Sequence, residues 1–157
     1  MQALCRNSIY FGKHSRLAPI FDTIIVMQKP SIFTKIINGE IGAYKLYEDD
    51  RVIAFLDLHP QVEGHTLVVP KKQVDHIWDL SDDDYNYLLS VAKKVGNHIR
   101  QTIESPRVGM LVEGFGVPHA HIHIVPIYHG NDLKISQDLD AEPDHQALTA
   151  MAIRLKM

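Results

Sequence analysis

Three histidines stand at alternate positions, His119, His121 and His123, with Ala120 and Ile122 between them and Ile124, Val125 and Pro126 after them. In a strand, successive side chains point to opposite faces. The three imidazoles then share one face, and Ala120, Ile122 and Ile124 line the other. A row of imidazoles on an otherwise apolar strand is costly unless each ring finds a polar partner, so the spacing predicts a row that is used. A neutral imidazole has a pKa near ~6.5 and is a nucleophile near neutral pH, with no separate base to strip a proton from it. It can attack phosphorus, form a phospho-histidine and give way to water in a second, easier displacement. One ring nitrogen must face the substrate while the other donates to an acceptor that fixes the tautomer. Donors on either side would hold the phosphoryl oxygens as charge spreads over them. That geometry favours His121 as nucleophile, supported by His119 and His123.

Other uses of the row stay open at this point. Three histidines can hold Zn²⁺ with a fourth position left for water. Neighbouring rings along one strand supply two ligands readily, but a third fits a tetrahedron less well. A phosphate loop of glycines ending in Lys-Ser or Lys-Thr is absent, which removes that route to phosphoryl chemistry.

The remaining composition sets bounds. The chain has 157 residues, 45% of them apolar, which suits one domain with a core of its own. A net charge of −3 gives no strong field toward polymeric nucleic acid or anionic membrane. Cys5 is the single cysteine, so no internal disulfide forms and no zinc site can be built from cysteines. This fits a reducing, cytoplasmic setting. No apolar run is long enough to span a bilayer. Residues 1–28 read as an N-terminal extension: Arg6, Lys13 and Arg16 face a single acid, Asp22, with apolar clusters at Ile9 to Phe11 and Ile20 to Val26. It is either dispensable or an extra strand on the domain. The domain proper is expected over 29–130, and 131–157 as a tail with a helix.

The elements that must position the histidines follow from periodicity and punctuation. Ser31 caps a short helix running to Asn38, whose apolar side is Ile32, Phe33, Ile36 and Ile37. Ala43 to Glu48 and Val52 to Asp57 are strands joined by a turn at Asp49-Asp50-Arg51. Gly64 leads into a third strand, His65 to Val69, closed by Pro70. Ser81 begins a long helix with acids in its first turn. Its stripe is Tyr85, Leu88, Leu89, Ala92, Val95, Ile99 and Ile103, and Ser105-Pro106 ends it. Arg107 to Glu113 is a strand, Gly114-Phe115-Gly116 turns the chain, and the histidine strand follows. Trp78 reads as a packing residue. A last helix is expected from about His145 to Leu155. Strands outnumber helices without strict alternation, so the fold class is α+β with an antiparallel sheet.

These residues carry a resemblance. The strand resembles the His-x-His-x-His motif of the histidine-triad (HIT) hydrolases. Asp57 to Lys72, with Asp57, Pro60, Gly64-His65 and Pro70-Lys71, is similar to a second block of that family. Ser31 to Ile37 resembles its opening helix. The resemblance runs from about Lys29 to Tyr128 and implies a HIT-like fold. It implies that His121 attacks the α-phosphorus of a nucleotide bearing an amine or a further phosphate, releasing a leaving group and forming a nucleotidyl-histidine. His119 and His123 would orient it and contact phosphate, and His65 would complete the cluster. Asp57 would bind ribose, and Ile32, Phe33, Ile36, Phe55 and Leu58 would bind the base. The implied partners are a purine nucleotide or nucleotide conjugate and a second copy of the chain in a homodimer. No cofactor or metal is implied. Taken alone, Phe33, Ile36 and Phe55 read as core and Asp57 as a turn carboxylate; only the resemblance moves them to a binding pocket.

The sequence also departs from that family's pattern. Many members carry an Asn and a longer loop with Gly-Gln-Ser/Thr before the triad. Val112 to Pro118 is shorter, and Phe115 and Gly116 replace the polar pair. Backbone N–H groups of the Gly114 to Gly116 turn can substitute, since glycine permits close approach. The leaving group is the property that this change affects. A nucleotide-binding module with little turnover is the alternative from another class.

Overall fold

The computed structural model describes residues 29–134 and 138–157, so the expected extension over 1–28 lies outside the described residues. The elements are α1 (Ile32–Ile37), β1 (Lys45–Glu48), β2 (Val52–Leu56), β3 (Thr66–Pro70), a single 3₁₀ turn at Ile77–Asp79, α2 (Asp82–Ile103), β4 (Arg107–Leu111), β5 (Ile122–Ile127) and α3 (His145–Arg154). The strands form one sheet in the order β1-β2-β3-β5-β4, and every neighbouring pair is antiparallel. This is the α+β architecture expected.

Period-two alternation decides the two faces of the sheet. Val52, Ala54, Leu56, Val68, Ala120, Ile122 and Ile124 belong to a core shared with the buried stripe of α2 and with Leu148, Met151 and Leu155 from the last helix. Ile53, Phe55, Leu67 and Val69 point the other way and pack against Phe33 and Ile36 of α1. Both faces of β2 and β3 are therefore covered, and every residue in those two strands is buried.

Local chemistry starts and stops the elements. Ser31 Oγ accepts the backbone N–H of Thr34, and Ser81 Oγ that of Asp84, so both helices carry the N-caps their sequences call for. The β1–β2 turn is closed by Asp49 Oδ1, which accepts from the backbone N–H groups of Arg51 and Val52. At Gly64 the backbone has φ +88°, and an added Cβ would lie 2.4 Å from Ile103 Cδ1. Glycine alone fits that turn, and it delivers His65 to the start of β3.

Two expectations change. The histidine strand begins at Ile122, later than its alternation implies. Its last ladder partner on β3 is Val68, opposite Ile122. Beyond that lies Pro70, which has no N–H to give and whose carbonyl meets His119 Nε2; the N–H of Ala120 donates to the carbonyl of Val74, 2.6 Å away. Second, Trp78 is 79% exposed and stacks on Tyr85 at the surface instead of packing inside. The helix expected near the C-terminus is present as α3, which buries Leu148 and Met151, and Leu155 after it is 0% exposed.

Candidate active site

The histidines gather on the α1 side of the sheet. His65 and His119 are fully buried, and His121 and His123 are each 5% exposed. Ring centroids of His121 and His123 lie 4.9 Å apart, and those of His65 and His123 lie 5.1 Å apart. Register explains the meeting of His65 and His123. Thr66 pairs with Ile124 and Leu67 with His123, so the start of β3 runs beside the triad.

Hydrogen bonds fix the protons on these rings. His121 Nδ1 lies 2.7 Å from the carbonyl oxygen of His119. A carbonyl only accepts, so Nδ1 carries the proton and Nε2 keeps its lone pair. His65 Nδ1 accepts the backbone N–H of Gln61 at 3.2 Å, which puts the proton of His65 on Nε2. That Nε2–H donates to His123 Nδ1 at 2.9 Å. His123 must then carry its own proton on Nε2, and that buried atom has no partner within the described residues. One backbone amide at Gln61 thus sets two rings in turn and leaves a spare donor at the end of the chain.

Burial favours the neutral form of His65, His119 and His123. It pushes His123 down to about 4, helped by repulsion from His121 and His65. It also lowers His65, against the attraction of Asp57, and lowers His119. The tautomers deduced above are those of neutral imidazoles, so the two observations agree.

A cavity of about 320 Å³ opens in front of the cluster. His121 and His123 line it, together with Asp57, Ile32, Phe33, Ile36, Phe55 and Leu58. Helix α1, the end of β2 and the turn after it therefore bring the residues expected to bind base and ribose onto one wall system. Phe33 stands edge-on to His121 at 5.1 Å and to Phe55 at 5.6 Å, which couples the apolar wall to the row. Asp57 Oδ1 accepts the backbone N–H of His59 at 2.9 Å. Its Oδ2 lies 3.8 Å from His65 Nδ1, too far for a hydrogen bond.

His119 does not take the expected place. It does not line the cavity, and both its ring nitrogens are engaged. Nε2 donates to the Pro70 carbonyl at 2.8 Å, and Nδ1 accepts from the Ser31 hydroxyl at 2.8 Å. Ser31 belongs to a small network, because Gln73 Oε1 accepts from both the Ser31 N–H and the Thr34 hydroxyl. A ring so held is not available to contact phosphate. Its carbonyl orients His121, and its side chain ties α1 to the row.

The sequence reading missed Ser31, Thr34 and Gln73 as supports, and Glu113, Ile41 and Leu139 as cavity residues. Glu113 ends the strand expected over Arg107 to Glu113 and lies two residues past the last pair of the ladder, Leu111 with His123. Gln73 has no such signal, because its partners lie far away in sequence.

One set of three potential metal ligands occurs among the described residues, Asp57, His65 and His123, with ligand atoms within 4.8 Å of one another. The facing nitrogens of His65 and His123 share a proton, so one of the two lone pairs is not free for a metal while that bond stands.

A HIT-domain profile matches residues 38–130, more than half of the sequence. The chain belongs to the HIT-domain family. An uncharacterized HIT-like protein of Methanocaldococcus jannaschii is 42% identical over 104 residues, spanning 64% of this chain and 81% of its own. Among solved structures, a HIT-like protein involved in cell-cycle regulation from Bartonella henselae, crystallised with an unknown ligand, matches with a TM-score of 0.72 at 28% identity. That match covers 82% of this chain and 96% of the Bartonella chain. A hypothetical histidine triad nucleotide-binding protein of Sulfolobus tokodaii matches with a TM-score of 0.69 at 29% identity, covering 78% of this chain and 87% of its own. In this HIT-domain protein no described helix is long and apolar enough to cross a membrane.

Proposed function

We propose that this HIT-domain protein is a nucleotide hydrolase or transferase acting at the α-phosphorus of a purine nucleotide conjugate through a nucleotidyl-His121 intermediate. The observation that carries the reading is the bond from His121 Nδ1–H to the His119 carbonyl, which leaves Nε2 as a lone pair on a ring that lines the cavity. In this reading Nε2 attacks phosphorus and the leaving group departs from the opposite side. Water then releases the nucleotide. His123 Nε2–H holds a non-bridging oxygen and strengthens its bond as negative charge builds there. Asp57 accepts the ribose hydroxyls, and Ile32, Phe33, Ile36, Phe55 and Leu58 enclose the base. A volume of about 320 Å³ is enough for a small ligand. The leaving group is the amine of a phosphoramidate or the remaining phosphates of a dinucleoside polyphosphate. No metal is required by this chemistry.

The same reading includes a homodimer in a cytoplasmic setting. It is supported by β4, which lies at the sheet edge with Met110 and Val112 exposed, and by the open groove between β4 and α2. An exposed edge of this kind is a template for pairing with another chain.

The test is to incubate the protein with labelled adenylyl and guanylyl compounds, quench, and map the label. We expect it on His121. His121→Ala should abolish turnover while nucleoside monophosphate still binds. Activity kept within a few-fold would refute this nucleophile. Tight binding with no turnover of any compound would favour a nucleotide-binding module, and turnover lost to a chelator would favour a histidine-bound zinc.

A further inference from the structure

The walls of the cavity are not electrically neutral. Asp57 and Glu113 both line it, as does His59, and no lysine or arginine is among the described lining residues. Leu139, which closes another part of the wall, is flanked in sequence by Asp138 and Asp140. Burial disfavours the charged form of His65 and His123, so these two rings add no compensating positive charge. In the reading proposed above, the polar atoms of the row that meet a phosphate are the Nε2 atoms of His121 and His123, one a lone pair and one an N–H.

Position gives Glu113 its part. β4 and β5 are paired so that Gly109 faces Val125 and Leu111 faces His123. Glu113 lies two residues past the end of this ladder and His121 one residue before β5. Both line the same cavity. The base and ribose walls, Phe33, Ile36, Phe55 and Asp57, come from α1 and β2, away from this edge. A group leaving from phosphorus bound at His121 therefore departs into the part of the cavity bounded by the β4–β5 loop, where Glu113, Gly116 and Val117 stand.

We infer that the leaving group is an amine carrying a further positive charge, and that Glu113 is the residue that selects it. This rests on the proposal that His121 takes the nucleotide. A phosphoramidate brings a single negative charge on its phosphorus, which the His123 N–H can meet. A polyphosphate brings a negative charge on every phosphate, and the chain beyond the α-position would run past Glu113 with no lysine or arginine among the described lining residues to receive it. In the reaction, the lone pair of His121 Nε2 forms the new N–P bond and the P–N electron pair leaves with the amine nitrogen. That nitrogen takes a proton from solvent water at the open mouth of the cavity. The attacking water of the second step returns a proton to solvent, gives its hydroxyl to phosphorus and restores neutral His121. The net change is phosphoramidate plus water to nucleotide plus amine.

The experiment compares three adenylyl phosphoramidates of matched length, made from diaminobutane, pentylamine and aminobutanoate, with diadenosine tetraphosphate as a fourth substrate. For an exposed carboxylate, attraction or repulsion of one charge is worth a factor of about three. The cationic conjugate should therefore exceed the anionic one in kcat/KM by about tenfold, with pentylamine between them, and the ratio should shrink as salt rises. Glu113→Gln should bring the ratio close to one, and Glu113→Lys should invert it. The position is exposed, so both variants should fold. The inference is overturned if pentylamine is released through labelled His121 and yet wild type does not discriminate, the ratio survives in both variants, or diadenosine tetraphosphate is the fastest substrate. If nothing is released and no label reaches His121, the nucleophile itself is wrong and this inference falls with it.

Discussion

Replacing His65 with Phe tests whether a backbone amide sets the reactive face of the site. Phe keeps a ring of similar size in a position that is 0% exposed, and removes the donor that now meets His123 Nδ1 at 2.9 Å. With that donor gone, His123 Nδ1 loses its reason to be the bare nitrogen, and the ring is free to carry its proton there. Nε2 would then face the phosphate as a lone pair against a negative oxygen. Leaving one buried polar atom unpaired costs about 1–3 kcal/mol, and each ~1.4 kcal/mol is a factor of ten in rate. The nucleotide should therefore transfer to His121 roughly ten- to a hundredfold more slowly, by the same conversion. Two assays are needed. Quenched single-turnover reactions with a labelled phosphoramidate measure the transfer step, and ¹⁵N NMR of the histidine rings reports which nitrogen of His123 holds the proton. The reasoning is refuted if His65→Phe still shows His123 protonated at Nε2 and transfers within about twofold of wild type.

Two further predictions concern the supports. Burial holds His123 down to about 4 when folded, and His65 and His119 are lowered in the same direction. An unfolded chain takes up those protons below ~6.5, while the folded one resists until about 4, so this contribution is complete above ~6.5 and is lost progressively as pH falls toward 4. The carboxylates act lower. Although burial pushes Asp49 up, hydrogen bonds from Tyr47, the Arg51 backbone and Tyr87 hold it at about 2, so its share is lost only below ~4. Urea midpoints should fall between pH 6.5 and 4.5, and a flat profile there would contradict the burial argument. Ser31→Ala removes both the cap of α1 and the hydroxyl that meets His119 Nδ1. It should cost about 1–2 kcal/mol of stability and weaken nucleoside monophosphate binding several-fold by loosening the Phe33 wall. An unchanged urea midpoint and affinity would show that the network is idle.

Much of the frame was legible because it depends on neighbours in the chain. The side-chain alternation through His123 put Ala120, Ile122 and Ile124 in the core beneath α2. Caps at Ser31 and Ser81, and the apolar stripe of α2, are local patterns of the same kind. The wall of Phe33, Ile36 and Phe55 was ambiguous for a physical reason. An apolar residue facing a cavity and one facing the core look alike in sequence, and these residues do both.

By itself the sequence determined which residue types were available for chemistry and that two of the triad imidazoles, His121 and His123, face one way. Tertiary structure decided which ring does what. Pro70 of β3 and Ser31 of α1 meet His119 from distant parts of the chain and take both its nitrogens. The Gln61 amide reaches His123 only because His65 lies between them in space. A proton's place on an imidazole depends on the atoms within ~3 Å of each nitrogen, and at this site most of those atoms come from segments that only folding brings together.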